Sequence, residues 1–276
     1  MGSDVTGGRQ AAGPATGTRR VLVLVSLLWL GMLPFLPQPS PSEAVPATHA
    51  WLLGLALATL GVALGLRSWD VTHVPLLTVL YLAAYCLPVL GTWPLALLVV
   101  LAGYGAYLAS FPRARQTARF WRRGTLDRTA VAWMVLFSAA AAIALVAWRF
   151  GASVDMARYR KFVPSGFPTW ALFVGVVPLA IINAFFEELM CRGIVWQACE
   201  EAFGGFAALI VTSLGFGLWH YRGFPSGMLG IALATVYGLM MGLVRMRTRG
   251  LLGPFVAHVL ADVVIYTMVV AMVVGA

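Results

Sequence analysis

Apolar runs broken by short polar or basic stretches recur along the chain at Val21–Leu36, Ala50–Leu66, Val74–Leu90, Pro94–Phe111, Ala130–Trp148, Thr169–Phe186, Phe206–Trp219, Met228–Val244 and Leu251–Val274. Most approach the roughly 18 to 20 residues that a helix needs to cross the hydrocarbon core of a bilayer. Lipid offers no partner to an open peptide group, so only helices or closed barrels can span it. No ten-residue alternation of apolar and polar positions supports a barrel. The pattern therefore predicts an all-α fold, a polytopic transmembrane helical bundle of about eight or nine membrane helices.

Composition agrees: 61% of the 276 residues are hydrophobic and 11% are charged, with a mean hydropathy of +0.87. A soluble domain of this length would carry far more charge. Cys86, Cys191 and Cys199 show neither C-x-x-C nor zinc-finger spacing and read as packing residues. The net charge of +9 raises the question of nucleic acid. The basic residues, however, fall between apolar runs, with no aromatic-basic motif on a soluble domain, so the partner they imply is the lipid bilayer and no nucleic acid.

Residues 1–18, rich in Gly, Ala and Thr, read as a disordered tail. Arg19 and Arg20 then precede the first apolar run much as a signal peptide's basic region would. The run is long for a signal sequence, and the PQPSPSEAVPA after it is a weak cleavage cue, so an uncleaved first span is expected. A cytoplasmic N-terminus places most of the 19 basic residues inside, including Arg113, Arg115, Arg119, Arg122, Arg123 and Arg128. The cluster Arg149–Lys161 then falls on the outer side. The loop Phe111–Arg128 reads as a stop-transfer loop against anionic lipid in preference to a ligand patch.

Of the acidic residues and histidines, five stand out within or beside the apolar runs and away from obvious loops, Glu187, Glu188, His220, His258 and Asp262, all in the last third of the chain. A charge in lipid costs several kcal/mol, so such groups face a bundle interior or a wet cavity and tend to be functional. In FFEELMCR, Glu188 and Arg192 are four apart on one helix face, in the acid-before-base order that suits an ion pair. Glu187 points about 100° away and stays free. Phe216 with His220, and His258 with Asp262, repeat the spacing of four. Each pair has a bland reading: a buried ion pair pinning two helices, a histidine in an aromatic interfacial belt, an interhelical hydrogen-bond clip. Three such pairs in sequence favour one shared site.

E-E-x-x-x-R, F-x-x-x-H and H-x-x-x-D, in this order on successive membrane helices, resemble the CPBP family of intramembrane endopeptidases, which includes the CAAX prenyl endopeptidases and the Abi-type proteins. The resemblance covers about Thr169 to Ala276 and divides the chain into the tail 1–18, N-terminal transmembrane helices with their basic loop at 19–168, and a catalytic core at 169–276. It implies catalytic residues at Glu187, Glu188, Arg192, His220, His258 and Asp262. Glu187 would be the general base on a water that His220 orients, His258 and Asp262 would serve the oxyanion, and Glu188 and Arg192 would support the site. It further implies an integral protein of a bacterial inner or plasma membrane, acting on a membrane-associated protein or peptide.

Two departures stand out. The last motif often ends in Asn where this chain has Asp262; an ionised Asp cannot donate to an oxyanion, so Asp262 is either protonated or holds the His258 tautomer. Cys191 stands where an aromatic residue often precedes the arginine. No cofactor is expected; the alternative is zinc on Glu187, His220 and His258. The rival to a protease is a non-catalytic immunity or scaffold protein, or a small transporter, although no repeated halves are apparent.

Depth is a further expectation. Thr169 to Phe203 would make one helix of roughly 50 Å, with Glu187 roughly 15 Å inside its polar QACEE end. His220, near the far end of its own run, fits that depth only if its helix is extended or tilted.

Overall fold

The computed structural model describes residues 16–36, 46–87, 93–151 and 168–275. The proposed tail up to residue 15, most of the weak cleavage cue, and Arg158, Arg160 and Lys161 of the outer basic cluster lie outside the described residues.

Each of the nine apolar runs becomes a helix within the described residues. They are α1 (Thr16–Met32), α2 (Ala47–Gly65), α3 (His73–Tyr85), α4 (Leu95–Ser110), α6 (Arg128–Gly151), α7 (Thr169–Glu188), α9 (Gly205–Trp219), α10 (Gly227–Thr248) and α11 (Leu252–Val274). Two short helices, α5 (Pro112–Thr117) and α8 (Trp196–Phe203), complete the set, and α8 continues α7 through a π turn at Leu189–Val195. Six spans are long and apolar enough to cross a membrane, among them the 35-residue run Thr169–Phe203. The protein is a helical membrane bundle.

The outer surface carries large apolar side chains such as Trp51, Ile143, Phe150, Trp170 and Met228. In water such a surface would aggregate; against acyl chains it is the expected one. Between helices the buried positions are often small, as at Ala56, Ala63, Ala180, Ala184 and Ala257, because lipid supplies no hydrophobic drive and close backbone packing must hold the bundle. Gly217 is the clearest case. A Cβ there would lie 2.7 Å from the Ile231 carbonyl oxygen and collide with Thr235, so only glycine lets α9 and α10 cross this closely.

The N-terminal helices pack in sequence, α1 and α2 on α3 and α3 on α4. In the C-terminal part α7 lies along α11, α11 also meets α6, and α9 pairs with α10. The first helix starts at Thr16, inside the stretch read as tail, because its first turns have partners: Arg20 Nε donates to Ala202 O at 2.9 Å, and Arg19 pairs with Asp70 at 2.7 Å and with Glu201.

Arg19 and Arg20 thus share one end of the bundle with the basic loop. That loop is no loose tether. Thr125 N–H donates to Thr248 O at 2.9 Å and Leu251 N–H to Arg122 O at 2.8 Å, a short backbone ladder onto the turn between α10 and α11. Gly124, at φ +80°, makes the close approach possible, since a Cβ there would stand 2.7 Å from Gly250 N. Gln197 reinforces it, accepting from Arg119 N–H at 2.9 Å and donating to Thr117 O at 2.7 Å.

Candidate active site

The site begins at the π turn. Its wider ladder re-aims side chains and carbonyls locally, which is why such turns so often accompany function. Here the Arg192 carbonyl accepts from Arg245 Nε at 3.1 Å, while the Arg192 side chain turns inward, fully buried. One guanidinium nitrogen donates to Glu188 Oε1 at 2.9 Å and another to Gly238 O at 3.0 Å, and the group lies 4.6 Å over the Phe216 ring. The ion pair expected from the four-residue spacing is therefore present, and it ties α7 to α10.

Glu188 Oε1 accepts a second bond, from His258 Nδ1 at 2.7 Å. A carboxylate only accepts, so Nδ1 carries the proton and the ring's other nitrogen is turned elsewhere. It faces Glu187 Oε2 at 3.4 Å and Asp262 Oδ1 at 3.6 Å. Three carboxylates thus surround one imidazole, and the tautomer is held by Glu188, not by Asp262. Asp262 instead accepts from Asn183 Nδ2 at 3.0 Å. Two donors, Ser138 Oγ at 3.1 Å and Tyr237 OH at 3.3 Å, pin the carbonyl of Ala257 next to His258.

Glu187 differs from its neighbours. Its side chain is 22% exposed where those of Glu188, Arg192, His258 and Asp262 are at most 5%. Its Oε2, itself shielded, makes no hydrogen bond of good geometry, which is also true of Glu188 Oε2 and Arg192 Nε, so it is the exposure that sets Glu187 apart. A buried oxygen left unsatisfied costs roughly 1–3 kcal/mol, and in a native fold it calls for a functional reason.

His220, expected to orient a water for Glu187, makes no direct ion pair with it; the imidazole that does approach Glu187 is that of His258. α9 stops at Trp219, and in the following 3-10 turn His220 Nδ1 donates back to Phe216 O at 2.9 Å. It joins the site through Phe216, whose ring centroid is 4.6 Å from His220 and 5.6 Å from His258. The depth difficulty resolves without extending the helix. The chain turns at Gly204, and from there Glu187 on one leg and His220 on the other are each roughly 25 Å away at 1.5 Å per residue. A short antiparallel hairpin, not a full span, brings them level.

The zinc alternative on Glu187, His220 and His258 finds no support in this arrangement. Among the described residues no group of three or more His, Cys, Asp or Glu side chains is gathered so as to hold a metal ion.

Asn183 and Tyr237 are the site residues that sequence reasoning missed. Asn183 had a signal, an amide one helical turn before Glu187 in an otherwise apolar run. Tyr237, whose ring centroid is 5.5 Å from His258, looks in sequence like any membrane aromatic.

Residues 168–264 match the family described as type II CAAX prenyl endopeptidase Rce1-like. This segment is similar to that family. All six residues named above lie within it, and the match supports the resemblance to CPBP intramembrane proteases. No curated protein and no solved structure matches the chain. The matched segment begins one residue before α7 and ends within α11.

Proposed function

We propose that the protein is a glutamate-dependent intramembrane endopeptidase of the CAAX type, cleaving a peptide bond in a membrane-associated protein. The family's description supports endopeptidase activity and a prenylated tail as the substrate class. The observation that carries the mechanism is the partly exposed Glu187 carboxylate, 3.4 Å from an imidazole whose other nitrogen is held by Glu188.

Glu187 takes a proton from water, which attacks the scissile carbonyl. His258, kept in register by Glu188 and Arg192, donates from Nε2 to the developing oxyanion when both ring nitrogens are protonated. An aligned donor in a dry site is worth several kcal/mol at this point because it needs no reorganisation. The proton held by Glu187 then passes to the leaving amine. Asn183 steadies Asp262, and His220 supports the His258 ring through Phe216.

The basic end of the bundle faces the cytoplasm in this reading, as the clustering of arginines favours, and the N-terminus lies there too. The membrane would be a bacterial inner or plasma membrane.

Reconstitution with a prenylated tetrapeptide-tail reporter tests the proposal. Glu187→Gln preserves shape but cannot accept the proton; it should fold, keep the wild-type thermal midpoint, and lose cleavage by about 10³-fold. Retained cleavage would refute the assignment of the base. Exhaustive chelation, checked by elemental analysis, should leave the wild-type rate within about twofold, because no zinc step is involved; a chelator-sensitive rate restored by zinc would return the metal reading.

A further inference from the structure

At the basic end of the bundle, remote from the Glu187 carboxylate, lies a cavity of about 380 Å³ bounded among others by Arg119 and Arg122 of the loop, Trp196 and Glu200 of α8, Arg245 of α10 and Arg249 of the turn after it. We propose that this cavity is a phosphate-binding site, taking the phosphate of a lipid headgroup or free phosphate.

Four arginines line it. The guanidinium groups of Arg119, Arg122 and Arg249 make no hydrogen bond and no ion pair among the described residues. Arg245 is fixed: its Nε is spent on the Arg192 carbonyl at 3.1 Å and its guanidinium lies 5.9 Å from the Trp196 ring centroid. Its two terminal nitrogens have no hydrogen-bond partner among the described residues. Of the two acids in the wall, Glu201 is already engaged by Arg19 and by Gln197 Nε2. Glu200 alone remains to offset four positive charges.

Like charges are gathered here at a cost, and the backbone is built to keep them so. The ladder Leu251 N–H to Arg122 O and Thr125 N–H to Thr248 O locks the segment carrying Arg122 onto the segment carrying Arg249. Arg119 is fixed through its own N–H to Gln197. Such a set is pre-organised for a ligand with several oxygens and more than one negative charge. A phosphate accepts from three or four guanidinium forks at once, whereas a carboxylate satisfies one or two. The level of the cavity, beside the ends of α10 and α11, is that of a cytoplasmic headgroup region, where anionic phospholipid is concentrated.

The test uses the purified full chain in a non-ionic detergent at constant ionic strength, with the thermal midpoint as readout and two probes, inorganic phosphate and dihexanoyl phosphatidic acid. Wild type should be stabilised saturably. The double variant Arg119→Gln with Arg122→Gln, both exposed, should bind at least about tenfold more weakly, and a control pair on the same loop outside the cavity, Arg113→Gln with Arg115→Gln, should stay within about twofold. Arg249→Asn, which keeps a residue tolerant of the left-handed backbone there, serves as the second variant should the double one not fold. Half-saturation at least about tenfold lower for phosphatidic acid than for inorganic phosphate assigns the site to lipid, and equal values assign it to free phosphate. No saturable stabilisation by either probe, or equal loss in the cavity and control variants, overturns the proposal. Cleavage is not measured, so the result stands apart from the protease reading.

Discussion

Two buried histidines, one in each half of the molecule, have opposite surroundings. His73, at the start of α3, is held by hydroxyls: Tyr104 OH at 2.8 Å from Nδ1 and Thr117 Oγ1 at 3.0 Å from Nε2, with aromatic rings of Tyr104, Tyr107 and Phe120 around it. Both nitrogens have a partner at normal distance and the cluster is closed. His258 has one firm bond, to Glu188, and at its other nitrogen two carboxylates at 3.4 and 3.6 Å, too far for a tight bond and one of them partly open. Burial alone does not mark a catalytic histidine. What separates the two is whether the second nitrogen is already satisfied by neutral groups or stands before charged ones with room to exchange a proton.

Removing His258 is the sharpest way to break this comparison. His258→Ala should cut cleavage of a prenylated reporter by about 10³-fold, since both the oxyanion donor and the partner of Glu187 go with it. Glu188 keeps Arg192, so the variant should still assemble and run as a single species in detergent. A rate within tenfold of wild type would mean that the two histidines are equivalent after all.

Asn183 gives a smaller effect and bears on what the sequence made legible. Asn183→Leu removes the donor to Asp262 and should lower the rate by about tenfold with little change in the affinity for substrate, the mark of a positioning residue. An equal loss in substrate affinity would instead make Asn183 a binding residue. The helical bundle could be read directly, because lipid imposes one backbone solution on every long apolar run. The Glu188–Arg192 pair could be read too, because a spacing of four fixes the face. The bond between His258 and Glu188 spans 70 residues, and no local period encodes it. The π turn left no mark either: Leu189–Val195 has the composition of the ordinary helix around it. Nor could His220 be placed by the length of its apolar run, since its depth depends on the turn at Gly204 and not on the helix being a full span.

The smallest effect on chemistry, and the other arm of the comparison, belongs to His73. His73→Phe keeps a ring of similar size among Tyr104, Tyr107 and Phe120 but leaves the hydroxyls of Tyr104 and Thr117 without that partner. Thr117 retains its bond to Ala114 O at 2.8 Å, so its hydroxyl is not orphaned. Tyr104, buried on α4, has no such alternative among the described residues. The cost should therefore be that of roughly one unsatisfied buried hydroxyl, about 1–3 kcal/mol, seen as a lower thermal midpoint. Cleavage should stay within about twofold at temperatures where the variant is folded, because nothing in the cluster donates toward Glu187. A large fall in rate without a fall in midpoint would show that the N-terminal helices do more than brace the core, and that a histidine satisfied by hydroxyls can still govern the reaction from a distance.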